Sequence, residues 1–176
     1  LSTPPLNLQS LSMNAELDAK LSRVRSLLKE QNASAMLVGL QSNFSWLACG
    51  GEAHVPLNTD RSFGELIVTP RHFYLLANRI EMRSLQDEVV RGLGAKPLLW
   101  EWHDADSGLK LVRDIDDPKR ILSDTGNWGT NARPDLIHPL HYSLLPQEVK
   151  RYRTLGKLAE AAITDACRAI KPGQTE

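Results

Sequence analysis

Residues 34–40 have the sequence SAMLVGL, a compact apolar run that predicts a buried β-strand. A helix is expected on each side of it. The upstream helix has Asn14 as a good N-cap, and one apolar face formed by Leu17, Leu21, Val24 and Leu28. The downstream helix is short, spans residues 43–49 and ends at a Gly-Gly pair. This alternation of helix and strand is typical of an α/β layer fold.

The rest of the chain continues the same alternation. Further strands are expected at residues 64–69, 72–77, 96–102, 120–124 and 138–144, and further helices at residues 81–90 and 107–115. The first two of these strands flank Pro70 and Arg71 and predict an antiparallel hairpin. The predicted fold is therefore a three-layer α/β domain with a mixed sheet of five to six strands, followed by a long C-terminal helix.

The long C-terminal helix is predicted by an apolar stripe after residue 145. Pro146 suits a first helical position, and Glu148 suits the first turn, where the helix dipole favours an anion. Apolar residues then recur every three or four positions: Val149, Tyr152, Leu155, Ala159, Ala162, Ile163, Ala166 and Ile170. The stripe needs a packing partner. We interpret residues 1–12 as a flexible lead-in, 13–145 as a first domain and 146–176 as a linker helix with the truncated start of a second domain.

Composition limits the classes of function. The chain has 176 residues, 41% of them hydrophobic and 24% charged, as in an ordinary globular domain. Its 21 basic and 21 acidic residues cancel, so no electrostatic footprint for nucleic acid or an anionic membrane is expected. The longest apolar run, residues 35–40, is too short to cross a bilayer, and residues 1–10 lack the pattern of a signal peptide. Cys49 and Cys167 are expected to be buried free thiols, so a cytoplasmic location is predicted.

Several stretches resemble one known family. Residues 170–176, IKPGQTE, and more loosely residues 145–149, LPQEV, resemble the helix that leads into the catalytic domain of the pita-bread metallopeptidases. This family includes creatinase, prolidase and aminopeptidase P. The usual Arg and Lys before the Glu are absent here. Residues 35–38, AMLV, and 43–50, NFSWLACG, resemble a strand and the following "N-i-x-Y-L-t-G" motif of the family's N-terminal domain, with Trp46 in place of the tyrosine.

The resemblance implies a creatinase-type N-terminal domain with a ribonuclease-H-like sheet. It further implies that the parent protein is an Xaa-Pro-type metallopeptidase, which hydrolyses peptide bonds next to proline with two divalent metal ions, Mn, Zn or Co. The metal ligands of the family, two Asp, one His and two Glu, belong to the C-terminal domain, and no residue of this chain matches them.

The expected role of this chain is accordingly non-catalytic. The resemblance implies that it shapes substrate access and contributes oligomer contacts, with a peptide substrate and a homodimer or higher homo-oligomer as partners. The alternative is a catalytically inactive relative, in which the same fold serves as a protein or peptide interaction module.

The loop of residues 50–63 is the best candidate for a binding role, because long polar loops on a rigid scaffold often carry function. His54 is a candidate to receive a peptide carboxylate or carbonyl, Arg61 to pair with a carboxylate, and Trp46 to form an apolar wall for a proline ring. The alternative is that Trp46 belongs to the core and that His54 and Arg61 are solvated loop residues or interface contacts.

Two other patterns contain residue types that commonly bind metal ions. His138 and His141 would point to opposite faces of the predicted last strand, so no metal site is expected there. Six aspartates suggest an acidic two-metal nuclease site as an alternative: Asp104, Asp106, Asp114, Asp116, Asp117 and Asp124. Most of them lie in turn-like sequence, where helix caps and turns are the expected role.

Overall fold

A computed structural model describes residues 8–54, 58–171 and 173–174, and within them the chain forms six helices and six strands. The helices are α1 (Leu8–Glu30), α2 (Gln41–Leu47), α3 (Met82–Ser84), α4 (Ala105–Ile115), α5 (Pro134–Ile137) and α6 (Pro146–Ala169). The strands are β1 (Ala35–Leu40), β2 (Arg61–Val68), β3 (Phe73–Asn78), β4 (Lys96–Trp100), β5 (Ile121–Ser123) and β6 (Asn131–Ala132). A π-helical turn, Leu85–Val89, continues α3, and short 3-10 turns are formed by Pro118–Arg120, Asn127–Gly129 and His138–His141.

The strands form one mixed sheet in the order β4-β3-β2-β1-β5-β6, so β4 and β6 are its edges. Strand β2 is antiparallel to both β1 and β3. The pairs β1–β5, β3–β4 and β5–β6 are parallel. The predicted hairpin is therefore confirmed as β2–β3, and the predicted α/β fold with a mixed sheet is confirmed with six strands.

Both faces of the sheet are covered, and β1 shows this residue by residue. Met36 and Val38 pack in one apolar cluster with the inner face of α1, including Val24. Ala35 and Leu37 point to the other face and belong to a second cluster with residues of α4. Since successive side chains of a strand alternate between faces, a strand buried on both faces must be apolar throughout. This explains the continuous run that the sequence shows at residues 34–40.

The structure differs from the sequence-based prediction at two places. Helix α1 begins at Leu8, so Asn14 lies inside the helix, and of the predicted lead-in only residues 1–7 lie outside the described residues. The strand predicted at residues 138–144 is wrong, because His138–His141 is a 3-10 turn. Pro139 cannot donate to a β-ladder but fits the first turn of a helix, which favours the observed turn.

The chain divides into two units, Leu1–Tyr142 and Ser143–Glu176. The second unit consists mainly of α6, which begins at Pro146 as predicted, with the Leu145 N–H donating to Glu148 Oε2 at 2.8 Å. Its apolar side chains Tyr152 and Leu155 are each more than half exposed. Within the described residues, no helix combines the length and apolar character needed to cross a membrane.

Candidate functional site

A cavity of about 360 Å³ opens where β1 passes into α2. Three segments line it: the junction itself with Leu40, Gln41 and Ser42, the loop before β2 with His54, Thr59 and Asp60, and the 3-10 turn with His138. Two imidazoles, a carboxylate and hydroxyl groups thus face one space. Concave sites with a few convergent polar groups are where small ligands bind in proteins.

Gln41 fastens the loop that forms one side of this cavity. Its backbone N–H donates to the Asp60 carbonyl at 2.8 Å. Its side-chain Oε1 accepts from the Ala53 N–H at 3.3 Å, and its Nε2 donates to Ser45 Oγ at 2.9 Å. One residue therefore bonds both ends of the loop, and the positions of His54 and Asp60 are tied to the start of α2.

A buried carboxylate, Asp124, joins the elements around the rim of the cavity. Its Oδ1 accepts from the Gly39 N–H at 2.8 Å, and its Oδ2 accepts from the Leu40 N–H at 3.1 Å and from Asn43 Nδ2 at 2.7 Å. Asn43 Oδ1 in turn lies 2.9 Å from His141 Nε2. A buried carboxylate is tolerated when donors surround it. The ends of β1 and β5, the start of α2 and the His138–His141 turn are thus held in one network.

A second buried carboxylate, Glu65 on β2, lies beside the first. It accepts from Asn127 Nδ2 at 2.7 Å and from the indole Nε1 of Trp128. Burial raises the pKa of Glu65, and the nearby charge of Asp124 adds to the rise, whereas the hydrogen bonds from Trp128 and Asn127 oppose it. A Cβ on Gly39 would lie 3.0 Å from Glu65 Oε1, so a glycine at this position leaves room for the carboxylate.

The three predicted site residues lie in different surroundings. His54 is half-buried and lines the cavity, and among the described residues its Nδ1 has no hydrogen-bond partner. Arg61 is exposed at the start of β2, and its Nη1 donates to Asn127 Oδ1 at 2.6 Å.

Trp46 lies in the core cluster on the α1 side of the sheet and is 8% exposed. Its ring centroid lies 5.5 Å from that of His141. His54 therefore lies in the loop and lines the cavity, and Arg61 lies near the end of the loop, next to the lining. Trp46 lies outside the cavity lining. Contact between Trp46 and a substrate stays a prediction.

The two histidines near the end of the first unit were predicted on opposite faces of a strand, and this is wrong. In the 3-10 turn the ring centroids of His138 and His141 are 6.1 Å apart, because residues three apart lie on the same side of such a turn. Even so, in the part of the chain that the structure describes, no three His, Cys, Asp or Glu side chains gather as a metal site would need. These residues do not fit the two-metal centre that the family resemblance implies.

The aspartates separate into two kinds. Asp104 accepts from the Asp106 N–H at 3.1 Å and caps α4, and Asp117 accepts from the Lys119 N–H at 3.0 Å and caps a 3-10 turn, as predicted. Asp124 is 7% exposed and belongs to the network, which the sequence analysis missed together with Asn43 and Glu65. The sequence signal for these two buried carboxylates is a charged residue directly beside an apolar strand sequence: Glu65 precedes LIV, and Asp124 follows ILS. Charged side chains are rarely buried without partners.

The cysteines also differ from expectation. Cys49 is half-buried and Cys167 is exposed, and neither forms a disulfide within the described part of the chain. The prediction that Cys167 is buried is wrong, because it lies on α6, where nearly all side chains are exposed.

Comparisons with known proteins show which solved structures share this fold. No family model matches the chain, and no curated protein matches it in sequence. Among solved structures, an Xaa-Pro dipeptidase from Bacillus anthracis is similar with a TM-score of 0.65 and 17% identity, covering 91% of this chain and 45% of that chain. A prolidase from Pyrococcus horikoshii OT3 has a TM-score of 0.64 and 15% identity, covering 89% of this chain and 44% of that chain.

A prolidase from Pyrococcus furiosus has a TM-score of 0.62 and 13% identity, covering 89% of this chain and 48% of that chain. The chain thus spans less than half the length of these three proteins. Sequence identities this low show a common fold only. The resemblance seen in the sequence is confirmed at that level: the chain has an α/β fold that is found in Xaa-Pro dipeptidase and prolidase structures.

Proposed function

We propose that this chain is the non-catalytic N-terminal domain of an Xaa-Pro-type metallopeptidase. The fold is the observation that supports the proposal. The similarity to an Xaa-Pro dipeptidase covers 91% of this chain and 45% of the dipeptidase. The two divalent metal ions, Mn, Zn or Co, and their ligands would then belong to a C-terminal domain. In this proposal the chain shapes substrate access and contributes contacts in a homodimer or higher homo-oligomer.

The cavity at the β1–α2 junction is the part of the chain that we assign to substrate access. A short peptide carries an ammonium group at one end and a carboxylate at the other. Asp60 offers a carboxylate to the first, and Arg61 retains guanidinium N–H groups beyond the one bonded to Asn127 for the second. His54 lines the same cavity as Asp60, and its imidazole can bond a peptide carbonyl there.

The fastening of the loop supports this assignment. Groups that bind a substrate work best when the protein holds them in place before binding. Gln41 restrains both ends of the loop, and Asp124 restrains the end of β1 directly before Gln41. The same geometry would serve the alternative function, a catalytically inactive peptide-interaction module, because peptide binding at this cavity requires no metal.

Two variants of the protein encoded by the complete gene test the proposal. His54→Ala and Arg61→Ala should each lower kcat/KM for an Xaa-Pro dipeptide about tenfold or more, because a charge-assisted contact contributes roughly 1.5–3 kcal/mol. Arg133→Ala is the matched control: Arg133 is paired with Asp135, with Nη2 2.8 Å from Oδ2, and lies outside the cavity lining, so its loss should leave kcat/KM unchanged.

Melting temperatures of the same variants separate binding from packing. A lower melting temperature with unchanged activity per folded molecule would assign His54 and Arg61 to the fold. Unchanged kcat/KM in both variants would remove the loop from the site. Peptide binding without hydrolysis in the metal-loaded wild-type protein would favour the interaction module over the peptidase.

A further inference from the structure

A second concave surface, a groove of about 440 Å³, lies between α1, the β2–β3 turn and the segment before β4. It shares no lining residue with the cavity described above. Four basic side chains line it, Arg25, Arg71, His72 and Lys96, against one carboxylate, Asp18. The formal net charge of the chain is zero. The positive charge of this groove is therefore a local concentration and not a property of the whole surface.

The basic groups of the groove are not neutralised by neighbouring carboxylates. Several arginines elsewhere on the surface have acidic partners, as in the pairs Arg79–Glu101, Arg120–Asp116 and Arg133–Asp135. By contrast, within the described residues no carboxylate lies within 4.0 Å of the charged groups of Arg71 or Lys96. Lys96 Nζ lies 3.5 Å from His72 Nδ1 instead, so two basic side chains meet in the groove.

The backbone holds these groups in place. Thr69 Oγ1 accepts from the His72 N–H at 2.8 Å and from the Arg71 N–H at 3.4 Å, and the Thr69 N–H donates to the His72 carbonyl at 2.9 Å. Arg25 Nε donates to the Thr69 carbonyl at 3.3 Å, which brings α1 to the same turn. Lys96 begins β4, opposite Tyr74 in the parallel β3–β4 pair. The cations thus project from a bonded turn and a sheet strand, which lowers the ordering cost of binding.

We propose that this groove binds a small, multiply charged oxyanion of the phosphate class, such as a phosphate ester or a diphosphate. Guanidinium groups match tetrahedral oxyanions through paired N–H donors, and an ammonium group adds a compact charge. The groove has room for more than one phosphate group. An anion bound beside Arg71, His72 and Lys96 would meet two cations, Arg71 and Lys96, that have no carboxylate within 4.0 Å among the described residues.

Titration of the 176-residue chain with pyrophosphate in a chloride buffer tests the proposal, followed by calorimetry and by backbone amide NMR shifts. We expect saturable binding with a Kd on the order of 0.1–1 mM, weakened by added salt. The amides of Arg71, His72 and Lys96 should shift. Arg71→Gln and Lys96→Gln should each weaken binding about 3- to 10-fold. Asp18→Asn should tighten it about twofold, because it removes the one opposing charge on the groove.

Arg113→Gln is the matched control, since Arg113 is a basic residue of a different cleft. Its binding constant should equal that of the wild type. Equal weakening by Arg113→Gln would show diffuse charge attraction and overturn the proposal. The same holds if no saturation is seen up to about 10 mM pyrophosphate, or if only a long polyanion such as heparin binds. Circular dichroism of each variant confirms that the fold is retained, which exposed substitutions at residues 71 and 96 should allow.

Discussion

Replacing Asp124 with alanine tests whether the buried carboxylate holds the cavity rim together. In the variant the N–H groups of Gly39 and Leu40 and the side-chain amide of Asn43 lose their acceptor. Hydrogen bonds to a charged group contribute about 1.5–3 kcal/mol each but are not additive within one network. We therefore expect the free energy of unfolding to fall by about 3–5 kcal/mol, which is less than the sum of three such bonds. A typical domain has a total of only about 5–15 kcal/mol.

Urea denaturation followed by circular dichroism at neutral pH measures this loss. Asp104→Ala is the control, because Asp104 is an exposed cap with one side-chain bond to the Asp106 N–H, and its loss should cost about 1 kcal/mol. Hydrogen exchange of the Gly39 and Leu40 amides should also accelerate in Asp124→Ala beyond the change in global stability. A loss of about 1 kcal/mol or less, equal to that of the control, would refute the reasoning.

Two further predictions concern Glu65 and Trp128. Because burial raises the pKa of Glu65, the folded state binds a proton more tightly than the unfolded state, and stability falls as pH rises through that interval. The free energy of unfolding of the wild type, relative to Glu65→Gln, should therefore decrease above pH 4.5, and an increase would contradict this. Gly108→Ala places a methyl group against the Trp128 ring and should cost about 1–3 kcal/mol in thermal unfolding. Gly156→Ala, with nothing within 4 Å of the new methyl, should instead stabilise α6 by about 0.5–1 kcal/mol; equal effects would exclude the steric explanation.

Elements with strong local signals were predictable from the sequence. The apolar run at residues 34–40 became the central strand β1, and the two β-rich runs around Pro70 became the β2–β3 hairpin. Strand β6, Asn131–Ala132, was missed since two exposed polar or small residues carry no hydrophobic pattern. At residues 138–144 a strand was wrongly predicted, because their apolar content resembles that of a strand whereas Pro139 favours a turn.

The candidate site was predictable only in part, for a physical reason. His54 and Arg61 were found because a polar loop between ordered elements is visible locally. The Asp124 network was not, because its partners are brought together by folding: Asn43 and Asp124 are 81 positions apart in the sequence. Asp124 follows a buried strand just as a turn-forming aspartate would, and only folding brings its carboxylate to the Gly39 and Leu40 N–H groups.

Strand β4 has a consequence for self-association. The Arg79 N–H donates to the Trp100 carbonyl, so the backbone groups of Trp100 face β3, as do those of alternate residues before it. Pro97 and Leu99 then face outward, and Pro97 has no N–H to offer. Within Lys96–Trp100, one outward N–H remains, that of Leu99, which is too few to template a further strand. The opposite edge is the two-residue strand β6. Within the described residues, fibril-like growth by strand addition is thus disfavoured at both edges of the sheet.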